Sequence, residues 1–512
     1  MDESEARVED AVPERLLKQR AKSGIFFVGS FGAVNLVVSF AGSLVLARML
    51  VPSDFGVVAI GTTLMMVATA LGDGGLASGL IRREEAPSLT ELRAALGIQL
   101  LLTGVLAVSA ASVGIALGGS GLVVALMMAA LPISALQSPG RIVLSRELRF
   151  RALAGAETAS MLVYYGWAVA WVIAGLGVWA LASAVAVRAI ALAVGVARVS
   201  RLGMMRPSLR HASALRPVIR FGVQFQAVSL AGMGREQGLN VGIAAIAGVA
   251  TLGFWSITQR LLALPVLVFE PIHRVMFPLM SQMRAAGRDL ADTMERGIAV
   301  AGAASGLLLV SFAAAAPELV PAVFGEQWRP VGPILQWVCG GLLVAAPLSV
   351  IAVGFLYSAN EPSVVLRATI LHTVGLYAVA FSLLPVLGPE AIGMGSFTGG
   401  VVDAAIMARA IRTRSSARPL AAHLPTLAVA APAAALGMIV TWSAGTGLMA
   451  AAAGGVVAGS VYLALTALFR RAVFLDAARL IADAVRSGFR REAPASPQPD
   501  RAQGAPVPAA SA

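Results

Sequence analysis

Five arginines stand where a greasy chain has little reason to keep them: Arg48, Arg188, Arg235, Arg260 and Arg274. A guanidinium stays charged, and its planar fork can hold phosphate oxygens through two parallel hydrogen bonds. Four of the five lie inside apolar runs and Arg48 closes another. Charge at that depth is costly unless it faces protein or a water-filled cavity. The chemistry these residues suggest is reception of an anionic group in a wet interior. Snorkelling to an interface or pairing with a neighbouring acid stands beside it, and Arg48 could simply terminate its helix.

A second set could carry a proton or cation. Glu270, His273 and Arg274 share one helical face at spacings of three and four, and histidine titrates near neutral pH. An internal Glu270–Arg274 ion pair is the competing account. Pro265, Pro271 and Pro278 interrupt the same segment and can kink it. Asp73 sits among glycines (Gly72, Gly74 and Gly75), and Asp403 and Glu236 are further acids within apolar stretches. For Asp73, a helix–helix hydrogen bond stands beside cation coupling. The EQWRP stretch, Glu326 to Pro330, together with Trp337, reads as aromatic anchoring at a membrane interface.

Catalysis finds no support. The four histidines, at 211, 273, 372 and 423, lie far apart, with no partner at metal-ligand spacing. No glycine-rich loop opens into a Lys-Ser or Lys-Thr pair. The single cysteine, Cys339, excludes an internal disulfide. We therefore expect no catalytic residue, no metal and no cofactor.

The elements that must position these residues are membrane helices. Only 13% of the 512 residues are charged and 58% are hydrophobic, and mean hydropathy is +0.81; a soluble protein carries about 25% charged residues. Helices are expected at 24–47, 55–80, 92–117, 121–143, 153–174, 177–198, 217–246, 251–282, 293–316, 331–358, 364–387, 389–411, 423–444 and 446–469. The reading is an all-α polytopic membrane protein of about 14 transmembrane helices. Net charge is +12, almost all from arginine, which in a soluble chain would suggest nucleic acid. Here, with the N-terminus inside, 33 of the 39 Lys and Arg fall in cytoplasmic segments, as the positive-inside rule requires. No nucleic-acid partner is expected, and both termini face the cytoplasm. The polar start is no cleavable signal peptide, so the first helix acts as an uncleaved anchor.

Phe31, Gly32, Ser39, Ala41 and Gly42 match Phe221, Gly222, Ser229, Ala231 and Gly232 at a constant offset of 190. Such a repeat is a common ground plan of secondary transporters. It divides the chain into a cytoplasmic segment 1–23, an N-lobe of six helices 24–198, a basic cytoplasmic linker 199–216, a six-helix C-lobe 217–412, an additional helix pair 413–469 and a cytoplasmic tail 470–512. The tail starts amphipathic, as if to lie on a membrane surface, and ends in a Pro- and Ala-rich stretch expected to be disordered.

The corner LARMLVPSDFG and the following GDGGLASGLI resemble the polysaccharide-exporting branch of the multidrug/oligosaccharidyl-lipid/polysaccharide (MOP) superfamily. LSRELRFRALA at 144–154, GVWALA at 177–182, LGFWSITQRLLALP at 252–265 and VMFPLMSQM at 275–283 follow in the same order. The resemblance implies a flippase carrying an undecaprenyl pyrophosphate-linked oligosaccharide across the bacterial cytoplasmic membrane; an ion gradient is the expected drive, since each charge crossing 100 mV is worth roughly 2.3 kcal/mol. It also implies a MATE-like fold of two lobes around a cationic cavity. The implied partners are the lipid-linked substrate, membrane lipids and other polysaccharide assembly proteins. The chain departs from the family where an Asn-x-Asp pattern would place an acid: Leu239 stands there, beside Asn240, and the nearby charges are Arg235 and Glu236. The rival readings are a drug or metabolite antiporter of the same superfamily, a membrane glycan polymerase or ligase, and a membrane scaffold.

Overall fold

A computed structural model describes the backbone of residues 14–210, 212–266 and 269–476. The first element, α1 (Glu14–Met49), ends at the corner that the sequence marks, and α2 (Pro52–Asp73) begins with a proline in its first turn. Proline suits that position because the first helical N–H groups have no partner in any case. Asp54 accepts from the Val51 backbone N–H at 3.3 Å and fixes the start of α2.

After the short α3 (Leu76–Arg82), α4 (Leu89–Leu117) opens with a capping box. Ser88 Oγ accepts from the Glu91 N–H at 3.2 Å, and Glu91 accepts from the Ser88 N–H at 2.9 Å. A broken stretch follows, α5 (Ser120–Met128), α6 (Leu131–Ala135) and α7 (Ser138–Arg146), and then α8 (Phe150–Ile173) and α9 (Val178–Ser200). The second half holds α10 (Arg216–Val266), α11 (Phe269–Ala285), α12 (Ala291–Phe324), α13 (Val331–Ser358), α14 (Pro362–Leu387), α15 (Glu390–Arg414), α16 (Pro419–Ser443) and α17 (Leu448–Phe469). Among the described residues there is no strand. This is what a lipid environment demands, since a helix satisfies its own backbone hydrogen bonds.

Eleven described helices are long and apolar enough to cross a membrane, or twelve if the bent pair Ser120–Ala135 and Ser138–Arg146 forms one span. The chain is an all-α, multi-pass membrane protein. The expected helices 217–246 and 251–282 meet within α10 at a break at Gly248, whose φ of 80° and ψ of 174° are not helical. Glycine alone takes that conformation without a Cβ penalty.

Helices α1, α8 and α9 pack in sequence, α12 is enclosed by α13, α16 and α17, and α15 lies between α13 and α14. Among the described residues, the most extensive contact between the early and late helices runs along α2 and α10. At the corner end, a Cβ on Gly56 would overlap the Val249 carbonyl and one on Gly253 would overlap that of Pro52. Only glycine allows the two helices to cross backbone to backbone there. At the opposite end, nearer the 199–216 linker, Gly75 meets Gly222. The polar residues between these crossings are therefore held in register from both ends.

Residues 1–13 of the expected cytoplasmic segment 1–23 and residues 477–512 of the expected tail 470–512 lie outside the described residues.

Candidate functional site

Between the two α2–α10 crossings lies a cavity of about 390 Å³. Thr62, Thr63 and Met66 come to it from α2; Glu236, Gln237, Asn240, Ser256, Gln259 and Arg260 come from α10. Asn240 Nδ2 donates to Thr63 Oγ1 at 3.1 Å and to Gln237 Oε1 at 3.4 Å, tying the two helices together. Its Oδ1 is buried with no partner, so the cluster retains acceptor capacity that water or a ligand hydroxyl could use.

Arg260 supplies the cavity's cation. Its guanidinium lies 5.4 Å from the centre of the Phe55 ring, an attractive cation–π placement. Among the described residues no carboxylate pairs with it. Arg188 on α9 is exposed, and both Arg188 and Arg260 lie within Coulombic reach of Tyr164 and Tyr165 on α8. Those two rings meet edge to face at 4.9 Å. Arg188 and Arg260, 72 positions apart in the sequence, thus converge on one aromatic pair.

The other expected arginines are placed differently. Arg235 pairs with Glu236 at 3.7 Å, the two side chains being 40% and 60% exposed. Tyr377 Oη donates to the Arg235 carbonyl at 2.6 Å and binds that turn to α14. Arg48 turns toward the end of α12, donating from Nε to the Val323 carbonyl at 2.7 Å and from Nη2 to the Ala322 carbonyl at 2.9 Å. Those carbonyls belong to the last turn of a helix, which has no internal donors for them. The side chains of Glu270, His273 and Arg274 fall outside the described ones.

Asp73 Oδ1 accepts from Gln99 Nε2 at 2.9 Å and from the Ala77 N–H at 3.3 Å, the helix–helix hydrogen bond named as one of its two readings. An Asp73→Ala variant leaves the Gln99 amide without that acceptor, so a loss of about 1–3 kcal/mol of stability is expected. Thermal unfolding in detergent measures it, and transport by the folded fraction should persist. Asp403 accepts from Ser349 Oγ across α13 and α15, and His372 lies within Coulombic reach of Asp403 and Arg235.

The EQWRP segment corrects the interface reading. Trp328 has no exposed surface. Its Nε1 donates to the Ala47 carbonyl at 2.8 Å, and its ring meets Phe55 at 5.1 Å and Phe254 at 6.1 Å. It packs behind Phe55, a residue of the cavity wall, where α1, α2 and α10 come together. Beside it, the Arg329 guanidinium holds the exposed Glu326 carboxylate below its usual range and also bonds Glu318 at 3.1 Å. Trp337, by contrast, is 38% exposed.

Thr63, Gln237, Asn240 and the Tyr164–Tyr165 pair were not singled out as site residues from the sequence. Small polar residues in apolar helices are too common to stand out until a fold brings them together. The Asn240–Leu239 substitution was their one visible trace: Asn240 faces the cavity, whereas Leu239 is buried, 4% exposed.

The fold is similar to that of a solved structure described as lipid II flippase MurJ in an inward closed conformation, with a TM-score of 0.66 over 87% of this chain and 99% of that one, at 9% identity. It is also similar to an inward-facing multidrug resistance MATE family transporter of the MOP superfamily, with a TM-score of 0.54 over 79% and 98% of the two chains, at 16% identity.

Residues 45–333 match the model of the polysaccharide biosynthesis protein family, and the chain belongs to that family. It is 22% identical over 336 residues to the lipopolysaccharide biosynthesis protein WzxC of Escherichia coli (strain K12), an alignment covering 63% of this chain and 67% of the relative. It is 26% identical over 314 residues to the succinoglycan biosynthesis transport protein ExoT of Rhizobium meliloti (strain 1021), covering 60% and 62%.

Proposed function

We propose that this protein is a flippase that moves undecaprenyl pyrophosphate-linked oligosaccharide from the inner to the outer leaflet of the bacterial cytoplasmic membrane by alternating access. The observation that carries the reading is Arg260: a guanidinium with no carboxylate partner among the described residues, in a polar cavity where early and late helices meet. A pyrophosphate meets the requirement that such a charge creates, because its oxygens accept the fork bidentately. Threonine, serine, asparagine and glutamine around it suit sugar hydroxyls, which both donate and accept. The polyprenyl tail stays in lipid. Flipping makes and breaks no covalent bond, so the site needs no nucleophile and no acid–base pair.

In this reading residues 24–198 and 217–412 are the two moving lobes and 413–469 an added pair. Fourteen crossings result when the bent pair is one span, α8 is counted and α10 is split at Gly248. Both termini are cytoplasmic, so the corner end faces outward, and other polysaccharide assembly proteins receive the product. The antiporter alternative calls for a more acidic cavity than this one, whose single acid among the described residues, Glu236, is paired with Arg235.

Deletion of the gene tests the reading. Lipid-linked oligosaccharide should accumulate on the inner leaflet; normal glycan export together with altered drug tolerance would favour the antiporter.

For the ion drive we assign Asp403, held by Ser349 and close to His372, as the coupling carboxylate. One charge crossing 100 mV is worth about 2.3 kcal/mol, so Asp403→Asn should cost up to about fiftyfold in gradient-driven transport. Transport without a gradient should be unchanged. Comparing initial rates in vesicles with and without an imposed potential measures the difference.

A further inference from the structure

A second cavity, of about 750 Å³, opens at the linker end between α1, α8 and α9. Residues of α1, α8, α9 and the turn before α8 line it, and none of them lines the α2–α10 cavity. Its mouth is cationic: Arg149, Arg151 and Arg198 all line it. Arg149 shapes the mouth, donating from Nη2 to the Val199 carbonyl at 3.0 Å and pairing with Glu147 at 3.2 Å. Arg151 and Arg198 are exposed.

Arg141 pairs with Glu157 at 2.9 Å, and Arg146 is spent on the backbone carbonyls of Leu80, Ile81 and Glu84 at 2.9, 3.0 and 3.1 Å. Behind the mouth the walls are apolar and narrow. Gly155 of α8 faces Phe31 of α1, and Gly195 of α9 faces Ala156. A leucine-sized side chain at 155 would fill the space that the glycine leaves beside Phe31.

The geometry points to a binding site for one acidic phospholipid, with its phosphate at Arg151 and Arg198 and an acyl chain in the slot against Gly155 and Phe31. Basic pockets between transmembrane helices recognise anionic headgroups in this way. The charge selects a phosphate, and the apolar slot selects a chain attached to it. Free phosphate satisfies only the first requirement.

The test is native mass spectrometry of the detergent-purified full-length protein after incubation with phosphatidylglycerol or with phosphatidylcholine of the same chains. One phosphatidylglycerol should remain bound per chain, and phosphatidylcholine should be retained at least about tenfold less, a difference of about 1.4 kcal/mol. The double variant Arg151→Gln/Arg198→Gln should lose retention by about tenfold or more. Gly155→Leu, which changes no charge, should lose it as well, and Arg412→Gln on another loop should not. If one variant fails to fold, the other decides. Equal retention of both lipids, retention unchanged in the folded variants, or full displacement of the lipid by inorganic phosphate would overturn the site.

Discussion

Arg260→Ala is expected to abolish most glycan export, with transport falling about 10- to 100-fold while the protein still folds. Hydrogen bonds to a charged group are each worth about 1.5–3 kcal/mol, and a factor of ten corresponds to about 1.4 kcal/mol. Losing one such interaction from the loaded cavity therefore spans that range. Arg260→Lys keeps the charge but not the fork, so it should fall between Ala and the parent. Arg235→Ala is the informative contrast. Its guanidinium is 40% exposed and paired with a 60% exposed Glu236; exposed pairs contribute only about 0–1 kcal/mol. A reduction of a few fold at most is expected. Quantifying surface glycan and inner-leaflet precursor in cells that express each variant checks both.

Trp328→Ala should have the largest effect on conformation. The ring is fully buried and touches Phe55 and Phe254, and its indole N–H reaches the end of α1. Truncating a buried Trp costs about 3–5 kcal/mol. Because these contacts join α1, α2 and α10 to the 326–328 turn, that loss falls on the state closed at the corner end. An equilibrium biased toward closure by that much would move by roughly a hundredfold or more. Spin labels placed across the corner end should report a new long-distance population in Trp328→Ala. Trp328→Phe keeps most of the packing and loses mainly one hydrogen bond worth about 1 kcal/mol, so its shift should be several-fold. Unchanged distances in the Ala variant would mean that Trp328 does not hold the corner end together.

The membrane class, the helical architecture and the family were legible because they rest on local, redundant signals. Apolar length, loop arginines and glycine corners each repeat along the chain. Arg260 was legible for a related reason: a charge deep in a greasy helix has few uses. Arg235 and Arg260 look alike in sequence, and only the fold shows that Glu236 neutralises the first and that Phe55 flanks the second. Trp328 was misread because a Trp beside Arg and Glu in a short loop has the composition of an interface anchor. Its burial depends on the ends of α1 and α2, 273 or more positions earlier, and no local pattern announces that. Thr63 and Asn240 became a site only when two glycine crossings set their register. The break at Gly248 was legible as the gap between the expected helices 217–246 and 251–282.

The most direct test of the central claim is a leaflet assay in proteoliposomes. Purified protein is reconstituted with a fluorescent polyprenyl pyrophosphate oligosaccharide, and a membrane-impermeant reagent counts the molecules exposed on the outer leaflet over time. The account predicts protein-dependent exchange between leaflets that slows at least about tenfold in Arg260→Ala and remains near the parent rate in Arg235→Ala. Exchange equally fast with the parent and Arg260→Ala would contradict it, as would no exchange above protein-free vesicles.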